Sequence, residues 1–121
     1  CMDWREVLEQ EFLGGEDSFL TSLRLEYEWN EPAFARLVRA MRGCCDSLSS
    51  EDVIERWLAE GFWYCSQFVP GMIKASNLKR KFSEEYYSDA ARVLIDLAEY
   101  FFSGTSPHLN DENLAPPDPN L

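Results

Sequence analysis

Cysteine and histidine are the side chains that could act as nucleophiles or metal ligands, and their spacing favours neither role. The chain has four cysteines, at positions 1, 44, 45 and 65, and one histidine, His108. Successive side chains on a helix diverge by about 100°, so Cys44 and Cys45 cannot easily share a zinc ion or a disulfide. His108 lies near prolines, remote in sequence from Cys65. We therefore predict no metal and no cofactor, with Cys65 and one of the adjacent pair buried as small apolar residues.

Two pairs of adjacent carboxylates could run acid–base chemistry, but helix starts explain both. Glu51-Asp52 and Glu84-Glu85 each follow a serine. A serine cap followed by acidic residues is typical of a helix N-terminus, where the macrodipole stabilises negative charge. The sequence therefore predicts a protein that is not an enzyme. A small enzyme with an unrecognised carboxylate or tyrosine site stays open as an alternative.

The charge balance indicates what kind of partner this chain would attract. It carries 22 acidic and 11 basic residues, for a formal net charge of -11. Such a field repels nucleic acid phosphates and attracts a basic protein surface. The one concentration of positive charge is Lys79, Arg80 and Lys81, and no aromatic residues interleave with it as a nucleic acid platform would require. We expect a protein partner with a basic surface rather than a nucleic acid.

Runs of consecutive aromatic residues supply the candidate binding site. Phe62, Trp63 and Tyr64 are adjacent, as are Tyr86 and Tyr87. One helix cannot turn every member of such a run towards the same neighbour, so part of each run is expected at the surface. Exposed Tyr and Trp are efficient anchors for a partner because they are large, stiff and amphipathic. The predicted site comprises Trp63, Tyr64, Tyr87, Lys79, Arg80 and Lys81, and the alternative is that the aromatic residues all belong to the core.

The elements that would position these residues are predicted to be helices. Apolar residues recur at spacings of three and four along most of the chain, and no alternating stretch indicates a strand. Gly61 lies within a predicted helix, where it is unfavourable unless another helix approaches closely. No apolar run reaches the roughly 20 residues that a membrane span needs. The predicted helices run from Asp3 to about Leu13, from Asp17 or Ser18 to near Trp29, from Asn30 to about Leu48, from Ser49 or Ser50 to Pro70, and from Ser83 to Gly104.

The predicted fold class is all-α, a single-domain bundle of about five amphipathic helices with an extended Pro-rich C-terminal tail. The helical domain covers 1–104, and the tail covers 105–121, which contains four prolines. Leu109 and Leu114 could dock this tail onto the bundle. On the second helix Tyr27 is predicted to face inward, as is Phe102 on the fifth.

The ends of the chain bear on its location. Cys1 precedes Met2, and we interpret Cys1 as a residue added ahead of the natural start. The alternative is the lipid-bearing cysteine of a mature lipoprotein, which would bring the protein to a membrane surface. The residues that follow are polar and acidic, unlike a secretory signal. With thiols expected to be unpaired, the predicted location is the cytoplasm.

These observations favour a small acidic non-enzymatic module that binds another protein. Inhibitors and immunity-type proteins combine small size with an acidic surface, an analogy of size and charge only. The alternative is a self-associating structural or assembly protein, in which the apolar arc from Phe62 to Val69 forms the seam of a homodimer.

Overall fold

The computed structural model describes residues 3–14, 18–75, 78–106 and 114–119. Across these ranges the regular secondary structure is entirely α-helical, which confirms the all-α prediction. None of the described helices is both long and apolar enough to cross a bilayer. The helices are α1 (Trp4–Phe12), α2 (Phe19–Glu26), α3 (Glu31–Leu48), α4 (Arg56–Ile73) and α5 (Glu84–Ser103).

Polar side chains at three helix starts form the hydrogen bonds that the sequence predicts. In each case a side-chain oxygen accepts a backbone N–H from the first turn, which satisfies a donor that the helix itself leaves free. At the other end of α5, Gly104 adopts a left-handed conformation with φ of 74° and ends the helix as predicted. The capping pairs are Ser18 with Thr21, Asn30 with Ala33, and Ser83 with Tyr86.

The start of α4 differs from the prediction. The serines at 49 and 50 do not cap it; residues 49–55 form an irregular turn, and the helix begins at Arg56. Ile54 packs against the core from within this turn, and Glu55 is held by Arg5 of α1 through an ion pair of 2.8 Å. The chain must reverse direction after α3 before α4 can pack on α5. Tertiary packing therefore overrides the local capping signal.

The end of α4 also differs, because the helix continues through Pro70 to Ile73 instead of stopping at the proline. Met72 and Ile73 pack against the core, and this burial holds the last turn despite the missing amide of Pro70. The guanidinium of Arg80 donates a hydrogen bond to the carbonyl of Ile73. This contact satisfies one of the carbonyls that a helix C-terminus leaves free.

The end of α2 corrects a predicted core residue. The helix stops at Glu26, and Tyr27 takes the left-handed conformation with φ of 56°. Tyr27 is 38% exposed rather than inward-facing. The left-handed turn redirects the chain so that Trp29, two residues later, enters the core instead.

Trp29 lies at the centre of an aromatic cluster that joins α2, α3 and α5. Its ring centroid is 4.8 Å from that of Phe19, 4.9 Å from Phe34, 5.1 Å from Tyr87 and 6.0 Å from Tyr86. Its indole N–H donates a hydrogen bond of 3.0 Å to the hydroxyl of Tyr86. The indole is therefore both buried and satisfied, and the cluster holds α2, α3 and α5 together.

A second aromatic contact joins α1, α4 and α5. The ring of Phe12 lies directly on Gly61, so the predicted close approach at this glycine is confirmed, with α1 as the neighbour. On the adjacent side of α4, Phe62 stacks on Phe101 of α5 with ring centroids 4.2 Å apart. These contacts fix the rotation of α4 about its own axis, and hence which of its residues face solvent.

The three described cysteines are free and buried, including both members of the adjacent pair, where only one was expected. Since α3 packs against both α1 and α5, the diverging side chains of Cys44 and Cys45 are each covered by a neighbour. Desolvation raises the pKa of Cys44 to about 12 and raises the pKa of Cys45 and Cys65 as well. Buried protonated thiols behave as small apolar residues.

The predicted C-terminal tail is described only in part. Leu114 is buried against the helical core, as the docking prediction for it required. Leu109 and His108 lie outside the described residues, and so does Cys1 at the other end of the chain.

Candidate functional site

Trp63 is the largest side chain that the described structure exposes to solvent, with 56% of its surface accessible. It follows Phe62, which stacks on Phe101 of α5, and Phe102 in turn follows Phe101. One step along a helix turns a side chain by about 100°, so Trp63 and Phe102 both leave the buried contact on the outer side of the α4/α5 pair. Phe102 is 52% exposed. The prediction that Phe102 faces inward is therefore wrong, because Phe101 already occupies the direction of the core.

The residues around these two rings form an exposed surface that is partly apolar and partly acidic. Ile95, two turns before Phe102, is 49% exposed. One turn from the rings lie the exposed carboxylates Glu60 on α4 and Glu99 on α5. An apolar centre bordered by negative charge results. This surface, called the α4/α5 outer face below, comprises Glu60, Trp63, Gln67, Ile95, Glu99 and Phe102.

Tyr64 faces away from Trp63, into a cleft between α4 and the helices α1 and α2. It is half-buried, and its ring stacks on Phe68 with centroids 4.9 Å apart. The cleft has a volume of about 380 Å³. Its walls combine apolar rings with a few polar groups, the usual composition of a ligand pocket. This cleft, called the α4 cleft below, is lined by Glu11, Phe12, Leu13, Gly14, Leu20, Thr21, Arg24, Trp57, Glu60, Gly61 and Tyr64.

Glu11 is the one buried carboxylate that the described residues place in this cleft. Its side chain accepts hydrogen bonds from the backbone N–H groups of Phe19, at 2.7 Å, and Leu20, at 3.2 Å. Burial raises the pKa of the Glu11 carboxyl, while the two amide bonds and the charge of Arg36 oppose the rise. Both oxygens are engaged by the first turn of α2. We therefore assign Glu11 the structural role of anchoring that helix to α1.

Glu11 gives a pH-dependent prediction. Because its pKa is raised above the ordinary value of 4.5, the folded chain holds this proton more tightly than the unfolded chain does. The stabilisation from this proton is complete at a pH below the pKa of Glu11 in the unfolded chain. It declines as the pH rises through the pKa of Glu11 in the folded chain. The free energy of unfolding of wild type and of Glu11→Gln can be measured with urea between pH 7 and pH 4. The stability of wild type relative to the variant should increase as the pH is lowered.

Glu11→Ala provides the companion variant, since it leaves the Phe19 and Leu20 amides without an acceptor. The free energy of unfolding of Glu11→Ala should be about 1–3 kcal/mol lower than that of wild type at pH 7. The loss should be smaller for the glutamine variant, because it keeps one carbonyl oxygen as an acceptor. A stability difference between wild type and Glu11→Gln that is flat with pH, or that moves the other way, would contradict the raised pKa.

Tyr87 is not part of an exposed site, which corrects its prediction as a surface anchor. It is only 1% exposed, and its hydroxyl accepts a hydrogen bond of 3.1 Å from the backbone N–H of Lys81. The segment 78–82 covers the first turn of α5, and Trp29 lies beneath it. Both members of the tyrosine pair are therefore enclosed, Tyr86 by Trp29 and Tyr87 by Trp29 and the covering segment.

The basic residues Lys79, Arg80 and Lys81 are exposed but lie at the far end of α4 from Trp63. Arg80 binds the carbonyl of Ile73, which is about 15 Å along the helix from Trp63 at 1.5 Å per residue. The Arg80 guanidinium also lies 5.6 Å from the centroid of the Tyr87 ring, and the ammonium of Lys79 lies 4.0 Å from the carboxylate of Glu28. The predicted site thus separates into two regions, and these basic residues mainly secure the segment before α5.

The α4 cleft was not predicted from the sequence as a site. Trp57 and Tyr64 are seven residues apart and therefore lie on the same side of α4, a relation that the sequence does contain. That they line a cleft depends on the ring of Phe12 resting on Gly61 and on the position of Arg24 across the opening. Those two facts come from the packing of separate helices, which no local pattern specifies.

Comparisons with protein families, with curated proteins and with solved structures find no match to this chain. Among the described residues, no group of three or more His, Cys, Asp or Glu side chains is placed to hold a metal ion. The functional proposal therefore rests on the chemistry of the α4/α5 outer face and the α4 cleft.

Proposed function

We propose that this chain is a non-enzymatic protein-binding module that docks through the α4/α5 outer face onto a partner with a basic surface. The observation that carries the proposal is Trp63. The Trp63 side chain leaves more than half of its surface in water, and Phe102 and Ile95 of α5 are about half exposed. These two helices therefore expose apolar area that a partner can cover.

The charge distribution supports a basic partner. Glu60 and Glu99 border the apolar centre, and the whole chain carries a net charge of -11. Carboxylates at the rim of an interface speed the encounter with a cationic surface, while the aromatic residues at the centre supply most of the affinity. This division of roles is typical of small acidic inhibitors and immunity-type proteins, and we include such an inhibitory role in the proposal.

The alternative of an acid–base enzyme has less support. The buried carboxylate with a raised pKa, Glu11, has both oxygens hydrogen-bonded to the start of α2. A general base needs a lone pair directed at substrate, and these oxygens are directed at backbone amides. We therefore keep the binding role as the proposal.

Self-association remains the second candidate, with a corrected surface. The arc from Phe62 to Val69 was predicted as the seam, but Phe62, Cys65 and Val69 are fully buried within the chain itself. If two copies associate, the apolar residues available on the α4/α5 outer face are Trp63, Ile95 and Phe102. Light scattering at high concentration distinguishes a dimer from a monomer directly.

Trp63→Ala tests the proposed function. The immobilised chain should capture a specific partner of high isoelectric point from a lysate of the source cells, and Trp63→Ala should weaken that complex at least about tenfold, since central Trp residues are the commonest hot spots. The fold should survive, because the indole is more than half exposed. Capture is measured by quantitative pull-down, followed by titration with the purified partner.

Val53→Ala is the matched control, because Val53 is 87% exposed but lies in the turn before α4, outside the α4/α5 outer face. It should bind as wild type does. The proposal fails if Trp63→Ala captures the partner normally, if the recovered partner is acidic, or if wild type captures nothing and remains monomeric.

A further inference from the structure

Two aromatic side chains of the same helix line the α4 cleft, Trp57 and Tyr64. Trp57 and Tyr64 are related by seven residues, two turns of α4, which corresponds to a rise of about 10.5 Å. Between them lies Gly61, which has no side chain, so the ring of Phe12 forms the floor at that point. Phe12 is also in edge contact with Trp57, with ring centroids 6.3 Å apart. The result is a recess lined by aromatic rings on one side of α4.

Glu60 supplies the solvent-exposed carboxylate of this recess, since the other carboxylate in the lining, Glu11, is buried and accepts hydrogen bonds from backbone amides. Glu60 is three residues after Trp57 and four before Tyr64, so its carboxylate lies on the same side of the helix as both rings. It is exposed, and in the described ranges it forms no ion pair. Arg24 lies across the opening on α2. A cation that enters the cleft is therefore favoured against the α4 wall and disfavoured against the α2 wall.

A guanidinium group matches these features better than an ammonium does. It is planar and weakly hydrated, it stacks on aromatic faces, and it forms two parallel hydrogen bonds to one carboxylate. An ammonium is a compact and strongly hydrated charge that gains less from the rings. The cleft volume of about 380 Å³ accommodates a whole side chain of this length.

We propose that the α4 cleft binds an arginine side chain of the basic partner, with the guanidinium between Trp57 and Tyr64 and paired with Glu60. This inference rests on the proposed function and adds to it the chemical group that the partner supplies. It also divides the tasks between two neighbouring surfaces of α4 that meet at Glu60. Trp63 contacts the partner on the α4/α5 outer face, and the cleft beside it selects for arginine.

The test uses a capped Gly-Arg-Gly peptide and a second peptide in which citrulline replaces arginine. Citrulline keeps the shape of the side chain and removes its charge. Binding is followed on the indole N–H signals of the chain, which has four tryptophans, in ¹⁵N-labelled protein. A spectrum of Trp57→Phe assigns the Trp57 signal. The arginine peptide should shift the Trp57 signal in a saturable manner and leave the signal of the buried Trp29 unchanged, and the citrulline peptide should shift neither.

Glu60→Gln should weaken binding of the arginine peptide at least about fivefold, because it removes a charge-assisted bidentate contact. Glu99→Gln is the charge-matched control, since Glu99 is exposed on α5 outside the cleft, and it should bind as wild type does. The inference is overturned if citrulline binds equally well, if Glu60→Gln has no effect, or if the Trp63 signal moves in place of Trp57.

The outcome for the cleft can be separated from the outcome for the proposed function. If the peptide test fails while Trp63→Ala still loses the partner, the binding module stands and only the arginine site is wrong. If Trp63→Ala keeps the partner while Glu60→Gln loses the peptide, the cleft binds arginine and the docking surface has been misplaced.

Discussion

Trp29→Ala is expected to lose about 3–5 kcal/mol of unfolding free energy, the usual cost of truncating a fully buried tryptophan. The indole is 1% exposed and lies against the rings of Phe19, Phe34, Tyr86 and Tyr87. Truncation leaves a large cavity where α2, α3 and α5 meet, and it removes the hydrogen-bond donor to the Tyr86 hydroxyl. A loss of this size approaches the total stability of many small domains, so urea or thermal unfolding followed by circular dichroism should show a much weakened or absent transition.

Trp63→Ala is the matched control for this experiment, because the same substitution is made at a residue that is 56% exposed. It should change the unfolding free energy by no more than about 1 kcal/mol. If the two variants are destabilised equally, then the indole of Trp63 belongs to the core in solution, and the α4/α5 outer face is not a free surface.

Gly61→Ala is expected to destabilise the fold, although alanine is the better helix former. A β-carbon at position 61 would overlap ring carbons of Phe12, including the carbon nearest its backbone, which a rotation of the ring cannot move away. Overpacking of this kind costs about 1–3 kcal/mol, against a gain of about 1 kcal/mol in helix propensity. We expect a net loss of unfolding free energy of up to about 2 kcal/mol in a urea titration, because α1 must move away from α4.

Gly71→Ala supplies the opposite result from the same helix. A β-carbon at Gly71 meets nothing within 4 Å, so only the gain in propensity applies, and the variant should be more stable than wild type by up to about 1 kcal/mol. Phe12→Ala supplies the second control. In that background Gly61→Ala should no longer destabilise, and a cost that persists without the Phe12 ring would contradict the contact described here.

The helices with strong local signals could be predicted closely from the sequence. For α3 the cap, the following proline and the apolar periodicity all agree, and the structure begins that helix at Glu31 and ends it at Leu48. For α5, Ser83 and Gly104 set both ends. Here the local preferences and the tertiary packing favour the same boundaries, which is the condition under which a sequence pattern is reliable.

The failures occur where local and tertiary effects compete. Two serines followed by two acids predicted the start of α4, but the turn needed to bring α4 onto α5 moved the start to Arg56. Pro70 was expected to end the helix, but the burial of Met72 and Ile73 extends it. In both places the deciding contacts are between residues far apart in the sequence, which a local pattern does not contain.

The candidate site was predictable to a similar degree. The exposure of a member of the Phe62-Trp63-Tyr64 run follows from helix geometry alone, and Trp63 is exposed. The same argument failed for Tyr87, because the segment 78–82 folds over it and helix geometry does not describe what covers a surface. The cleft beside Tyr64 depends on a ring from α1, and only the assembled bundle reveals it.

The three buried thiols give this bundle built-in reporters of its own fluctuations. Cys44 and Cys45 are covered by different neighbours of α3, and Cys65 lies on the buried face of α4. A thiol that is buried and protonated reacts with an alkylating reagent only during moments when its surroundings separate. The rate at which each position is labelled therefore measures how often that particular seam between helices opens, without any substitution being introduced.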